Sequence, residues 1–217
     1  MSAFDPAFDQ LPKSIPLFPL PSVLLLPRGL LPLNIFEPRY IAMVEEAMAH
    51  GRMIAMVQPR TNDGLDGNPP VYEVACAGRI VQFEEEMDGR YLITLKGVSR
   101  FNIESEMITA GGFRMAQADW RAYRDDLVPS EGSIDRGTIL AHLPDFLKHY
   151  GLKLDWDALR DAPDEHLVTA LSMICPFPIA EKQALLEANS LEERAKVLGA
   201  LIDMAVADIG LNGHMPQ

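Results

Sequence analysis

The apolar positions at the start of the chain fall into three short runs between Ile15 and Leu33, which are separated by prolines. The whole stretch is as long as a membrane-spanning helix, which needs about 20 mostly apolar residues. Proline, however, removes a backbone donor and restricts the residue before it, and Arg28 would place a charge near the middle of the span. The pattern therefore predicts short strands with proline at their ends or on sheet edges, and a turn at Arg28 and Gly29.

The period of the apolar positions then changes to that of a helix. Pro38 suits the first helical turn, apolar side chains recur at helical spacing from Tyr40 to Met48, and Gly51 supplies the stop. Alternating segments follow, with a hairpin turn at Asp88-Gly89. The predicted strands cover residues 52–58, 71–84, 91–95, 98–104 and 113–120, with an exposed polar loop over 59–70 and a break at Gly97. Antiparallel strands joined in this way often curl into a barrel or half-barrel.

The second half of the chain has the periodicity of helices. Charged residues, proline and glycine replace the apolar alternation from Arg121 to Ser133, which indicates a boundary between subdomains. Apolar stripes then predict a helix that Pro144 restarts, a helix that begins near Pro163, and two further helices. We therefore predict an α+β protein in which an antiparallel β-rich lobe with one helix precedes a helical bundle. Its parts are a loose N-terminal arm (1–13), the β-rich lobe (14–121), a linker (122–132) and the bundle (133–210).

Composition and charge narrow the possible partners. A formal net charge of −12 and a pI near 4.8 oppose general binding to nucleic acid or to anionic membranes, because both need Lys and Arg. Cys76 and Cys175 lie outside any CxxC spacing, so we expect two buried thiols rather than a disulfide or a zinc site. The N-terminus lacks the basic and apolar regions of a signal peptide, and we expect a cytoplasmic protein.

Motifs of the common enzyme classes are absent from the sequence, which has no phosphate-binding loop, dinucleotide-binding glycines, nucleophile elbow or HExxH. His142 and His149 stand about two helical turns apart, too far to share a metal without other ligands. Three successive carboxylates, Glu84 to Glu86, point alternately to opposite faces of a strand. Glu37 and Arg39 flank Pro38 and could orient a reacting group, but the favoured interpretation is that Arg39 reaches a buried carboxylate or strand-end carbonyls and locks the helix onto the sheet. We therefore predict no catalytic residue, no metal site and no cofactor.

Four segments, in order, resemble the amino-terminal domain of the Lon ATP-dependent protease family. The run PLFPLPSVLLLPRGLLPLNIFEPRYIAMVEEAM is similar to the opening of that domain, where a proline-rich strand pair leads into a helix start of the type IFEPRY. The hairpin from Asp88 to Gly97 with Ser99-Arg100-Phe101, the segment Glu181 to Glu187, and the helix from Glu193 to Leu198 resemble its later parts. The resemblance covers Pro16 to about Ile209, and it implies a PUA-like half-barrel followed by a helical bundle.

The resemblance also implies a binding role. The family's protease continues into ATPase and peptidase modules, whereas this chain ends before either could begin, so it resembles a stand-alone domain and peptidase activity is not expected. We expect a non-catalytic module that binds unfolded or exposed apolar polypeptide, linked to proteolysis or quality control. The alternatives are a scaffold or adaptor that docks one protein partner, and RNA binding by the PUA-like lobe, which the acidic charge opposes. The candidate partner-binding residues are Phe36, Glu37, Arg39, Tyr40, Met43 and Arg100.

Overall fold

The computed structural model describes residues 6–61, 68–130 and 132–212. The chain divides into two compact units, Met1–Pro129 and Ser130–Gln217. Strands dominate the first unit and helices make up the second, so the α+β class is confirmed. Residues 62–67 of the loop predicted over 59–70 lie outside the described residues, as do the first five residues of the predicted arm.

Six strands of the described residues form the sheet of the first unit. They are β1 (Ser14–Pro19), β2 (Leu30–Ile35), β3 (Met53–Val57), β4 (Val74–Glu85), β5 (Tyr91–Ile108) and β6 (Arg114–Asp119), with helix α1 (Pro38–Ala49) between β2 and β3. The strand order is β2-β5-β4-β3-β1-β6, and β5 also pairs with β6. This last pairing closes five strands into a barrel and leaves β2 beside β5. The sheet is mixed rather than wholly antiparallel, since β1 and β3 pair in parallel.

The barrel encloses the core of the first unit. Strand β1 lies between β3 and β6, so its residues from Ile15 to Pro19 are all buried and read as a continuous apolar run. Helix α1 begins with Pro38 and buries Met43, Val44 and Ala47, which are positions on the stripe predicted from helical spacing. The predicted helix start and its apolar face are therefore confirmed.

Strand β5 runs through Gly97 without interruption, so the predicted break at this residue is wrong. The chain passes directly over the glycine, and a Cβ at this position would overlap the carbonyl oxygen of Leu26. Two hydrogen bonds of 2.8 Å hold this close approach, one from the Gly97 amide to the Gly29 carbonyl and one from the Arg28 amide to the Gly97 carbonyl. Gly97 thus permits two backbones to touch instead of ending the strand.

The N-terminal arm predicted over residues 1–13 is packed against the barrel from Phe8 onward. Leu11 is buried, and the indole Nε1 of Trp120 donates to the Pro12 carbonyl at 3.0 Å. The Arg124 guanidinium lies 4.2 Å from the centre of the Phe8 ring. A loose arm is therefore the wrong description for residues 8–13.

The first part of the predicted linker also belongs to the first unit. A 3-10 helix over Arg121–Leu127 packs on β5 and carries the buried Asp126. The boundary between the units falls later, between Pro129 and Ser130. Charge and proline in this segment did indicate a boundary, but they could not reveal that one of its carboxylates is a buried anchor.

The second unit is built around one long helix. Its helices are α2 (Arg136–Leu140), α3 (Leu143–His149), α4 (Trp156–Asp161), α5 (Asp164–Ile174), α6 (Ile179–Glu187) and α7 (Leu191–Asn212). Helix α7 packs against α2, α3, α5 and α6. The restart at Pro144 and the helix start after Pro163 are confirmed, whereas α4 was not predicted. Within the described residues no helix is long and apolar enough to cross a membrane.

Lys182 joins α5 to α6. Its buried Nζ donates to the carbonyls of Ser172 and Met173 at 2.8 and 2.7 Å, which satisfies the last turn of α5. Burial lowers the pKa of Lys182 to about 8, although the neighbouring Cys175 opposes the shift. Burial also raises the pKa of the Cys175 thiol to about 12. Cys76 and Cys175 are both buried, as predicted, and no disulfide joins them.

Candidate functional site

The joint between β2 and α1 brings together four of the predicted site residues. Phe36 follows the last residue of β2 and its side chain is 64% exposed. Glu37 is the N-cap residue of α1, and its carbonyl accepts the amides of Tyr40 and Ile41 at 2.9 Å. Pro38, at the first helical position, fixes the direction in which the chain enters α1. Phe36 lies between the end of β2 and this helix start and belongs to neither element.

Glu37 and Arg39 form an ion pair at this joint. The Glu37 carboxylate does not cap the helix and instead accepts from Arg39 Nε and Nη2 at 3.0 and 2.9 Å. The Arg39 guanidinium lies 4.6 Å from the centre of the Tyr40 ring, and this ring packs on Phe18 of β1 at 4.3 Å. Burial raises the pKa of Tyr40, against the effect of the Arg39 charge. Arg39 therefore contacts the partly exposed carboxylate of Glu37, where a buried carboxylate or strand-end carbonyls were expected, and the Tyr40 ring continues the contact to the barrel.

The other two predicted site residues do not reach this surface. Met43 is fully buried beneath α1 and belongs to the core. Arg100 is also buried, where its backbone amide and Nε donate to Asp126 Oδ2 at 2.9 Å and its Nη2 donates to Oδ1 at 2.8 Å. Neither residue can contact a partner in this structure, so the surface is formed by Phe36, Glu37, Arg39 and Tyr40.

An exposed apolar face on β2, β5 and β4 adjoins the joint. Leu30, Val81 and Leu92 are exposed, and Val81 and Leu92 line a shallow depression of about 790 Å³. Phe83 is also exposed, but it pairs with Ile93, the residue after Leu92, so its side chain lies on the opposite face of the sheet. Sequence reasoning missed this face. The signal that could have found it is the adjacent apolar pair Ile80-Val81, which breaks the alternation of β4.

The hairpin between β4 and β5 is tied to α1. The Tyr91 hydroxyl donates to the Glu45 carboxylate at 3.2 Å, and the Phe83 and Tyr91 rings meet edge to face at 5.0 Å. Glu84, Glu85 and Glu86 surround this end of the sheet, all at least partly exposed. The result is an apolar face with an acidic border.

The second unit carries a separate groove of about 540 Å³. Tyr150 and Met204 are its exposed apolar side chains, and Met204 is 60% exposed. Glu181 and Asp208 lie in the same lining, where burial, and then the Asp208 charge, raise the pKa of Glu181. Among the described residues no group of three His, Cys, Asp or Glu could hold a metal ion.

Exposed apolar surfaces of this kind are typical of interaction domains. A comparison with protein families identifies the domain: residues 14–203 match the substrate-binding domain of ATP-dependent protease La (Lon). The chain therefore belongs to the Lon substrate-binding domain family.

Known relatives agree with this assignment. The chain is 23% identical over 201 residues to a Lon protease of Anaeromyxobacter dehalogenans, and 24% identical over 198 residues to the Lon protease of Escherichia coli. These matches cover 90% and 88% of the chain but only 24% and 25% of the relatives, so the chain spans about a quarter of their length.

Solved structures show the same fold. A Lon N-terminal domain protein from Xanthomonas campestris superposes with a TM-score of 0.60 at 23% identity, over 86% of this chain and 97% of that one. The N-terminal domain of a Mycobacterium avium complex Lon protease superposes with the same TM-score at 18% identity, over 88% and 98% of the two chains.

Proposed function

We propose that this chain is a non-catalytic module that binds unfolded polypeptide, or segments that expose apolar side chains, and so serves proteolysis or quality control. Membership of the Lon substrate-binding domain family supports the class of ligand. A link to proteolysis rests on the relatives, which are named Lon proteases.

The observation that carries the proposal is the exposure of Phe36. A Phe side chain gains about 1.5–3 kcal/mol on full burial, so a chain that leaves this ring 64% exposed retains a strong site for an apolar partner. The Glu37–Arg39 ion pair and the contact of Tyr40 with Phe18 hold the backbone that follows Phe36 in place. A partner therefore meets a pre-organised surface rather than one that must be ordered on binding.

Substitution of Phe36 tests this site. We expect Phe36→Ser to weaken binding of a labelled, reduced and alkylated model protein by about tenfold or more, as measured by fluorescence anisotropy. Met204→Ser removes an apolar side chain of similar exposure from the other unit and serves as the matched control. Equal binding by the Phe36 variant and the wild type would sink the assignment to the joint, and a loss confined to Met204→Ser would move the site to the helical groove.

Two other roles, an adaptor and an RNA-binding protein, predict different experimental results. An adaptor for one partner would ignore unfolded model proteins and return a single stoichiometric partner in affinity capture from extract. RNA binding would appear as a salt-dependent shift of labelled RNA, which the net charge of −12 opposes.

A further inference from the structure

Strand β2 is an edge strand. Within the part of the chain that the structure describes, it pairs only with β5, because the barrel closes through β5 and β6 without it. Such an edge presents backbone N–H and C=O groups that can pair with another chain. Leu31 and Leu33 are only half-buried even though they lie on the inner side of the strand.

The hydrogen bonds next to β2 show which of its backbone groups face outward. The Gly97 amide donates to the Gly29 carbonyl, and the Gly97 carbonyl accepts from the Arg28 amide, so the ladder is hydrogen-bonded at Gly97 just before Leu30 pairs with Lys96. Pairs of this kind alternate along an antiparallel ladder. The backbone groups of alternate residues therefore bond to β5, and these residues are Leu31, Leu33 and Ile35. The backbone groups of the residues between them point away from β5, and these residues are Leu30, Pro32 and Asn34. Proline at position 32 agrees with this register, because there it deprives β5 of no donor.

We propose that an extended polypeptide segment with apolar side chains at alternate positions and a Lys or Arg at one end adds to the outer edge of β2 as a further strand. This mode of binding rests on the proposed function and specifies how the polypeptide is held. The edge leads directly into Phe36, so a segment paired with β2 passes the exposed ring.

The chemistry of the segment follows from the surfaces around the edge. Leu30 is 61% exposed, and Leu92 and Val81 continue the apolar face across β5 and β4, which favours apolar side chains on one face of the added strand. Glu84, Glu85 and Glu86 border the Ile35 end of the sheet, whereas Lys96 lies at the Leu30 end. This polarity favours a basic residue at the Ile35 end.

The net charge also favours a polypeptide client over a second copy of this chain as the occupant of the β2 edge. Each copy carries a net charge of −12, so two β2 edges would bring like charges together. Pro32 has no backbone N–H, so only Leu30 and Asn34 direct an N–H donor outward from β2. The edge thus favours short-lived capture of cationic, apolar segments over tight pairing with itself.

The experiment uses a labelled nine-residue peptide in which Val and Leu alternate with Thr and a Lys stands at each end. We expect Asn34→Pro, which removes one of the two outward donors, to weaken its binding by about tenfold. We expect Pro32→Ala, which restores a donor at the same edge, to tighten it by about threefold. A matched peptide with Glu at each end should bind more weakly than the Lys form at low ionic strength, and this difference should shrink as salt is added.

Peptides N-methylated at alternate positions provide a test that does not depend on the folding of any variant. Methylation at the set of positions that faces β2 should abolish binding, and methylation at the other set should leave it. Equal effects of the two sets, or equal binding by the wild type and Asn34→Pro, would overturn strand addition and leave the proposed function standing if unfolded protein still binds. Failure of the wild type to bind either peptide or unfolded protein would overturn both.

Discussion

Arg100 and Asp126 form an ion pair that the first unit buries almost completely. Burial lowers the pKa of Arg100, but the hydrogen bonds and charge of Asp126 outweigh it and hold the pKa above its usual value. Asp126→Ala leaves a buried guanidinium without its carboxylate, and such a loss costs about 3–5 kcal/mol. We expect the free energy of unfolding in urea to fall by that amount.

An exposed ion pair of the same unit provides the control. Arg121 and Asp119 also form two hydrogen bonds of 2.8 Å, but the Arg121 side chain is largely in solvent. Because exposed pairs contribute little, Arg121→Ala should change the unfolding curve far less than Asp126→Ala. Similar losses for the two variants would contradict the structural role of the buried pair.

Lys182 gives the second unit a pH dependence of opposite sign to that of a lysine whose pKa is raised by a salt bridge. Its pKa is about 8 when folded and 10.5 when unfolded, so between these values the unfolded chain binds more protons and stability rises with pH. Cys175 opposes this trend above pH 9, because its folded thiol keeps the proton up to about pH 12. From pH 8 to 9 the wild type should gain about 1 kcal/mol relative to Lys182→Met, measured by urea unfolding. The same pH dependence in both proteins would contradict a buried, easily deprotonated lysine.

Local chemistry made some of these residues predictable and left others hidden. Glu37 and Arg39 stand two apart around a proline, but the sequence favoured a buried carboxylate or strand-end carbonyls as the contact of Arg39, and the nearer Glu37 carboxylate was missed. The partner of Arg100 lies 26 residues further on, in a segment whose charges resemble those of a solvated linker. Periodicity placed Met43 on the buried stripe of α1. A side chain on that stripe is not accessible to a partner, so the assignment of Met43 to a binding surface conflicted with its own helical position.

The elements of the fold depend on close backbone contacts as well as on apolar faces. Gly97 lies in β5, and Gly97→Ala would place a methyl group against the carbonyl of Leu26. Overpacking of this kind costs about 1–3 kcal/mol, and we expect at least that loss in the free energy of unfolding. Ser105→Ala, at an exposed position of the same strand, should change it by less than about 0.5 kcal/mol. A Gly97→Ala protein as stable as the wild type would contradict the close approach.

Element boundaries set by proline and glycine could be read from the sequence, because these residues act through their own backbone. Pro38, Gly51, Pro144 and Pro163 all lie at predicted helix ends. The pairing of β1 with β3, and the closure of the barrel by the pairing of β1 with β6, could not be read, since they join strands distant in sequence. The edge position of β2, on which the mode of binding depends, follows only from that closure.

At the scale of the whole molecule, the chain combines an acidic surface charge with exposed apolar side chains in each unit. A net charge of −12 favours association with basic segments over acidic ones. Fold and family could be inferred from ordered motifs along the sequence. The binding surface could not, because it depends on which apolar residues the fold leaves uncovered.

The most direct test of a polypeptide-binding module compares one model protein in two states. The chain is titrated into the labelled protein, first reduced and alkylated so that it stays unfolded, then in its native form, and the mixture is checked for cleavage. We predict saturable binding to the unfolded form, little binding to the native form, and no cleavage. Equal or absent binding to the two forms, or cleavage without an added protease, would contradict the assignment.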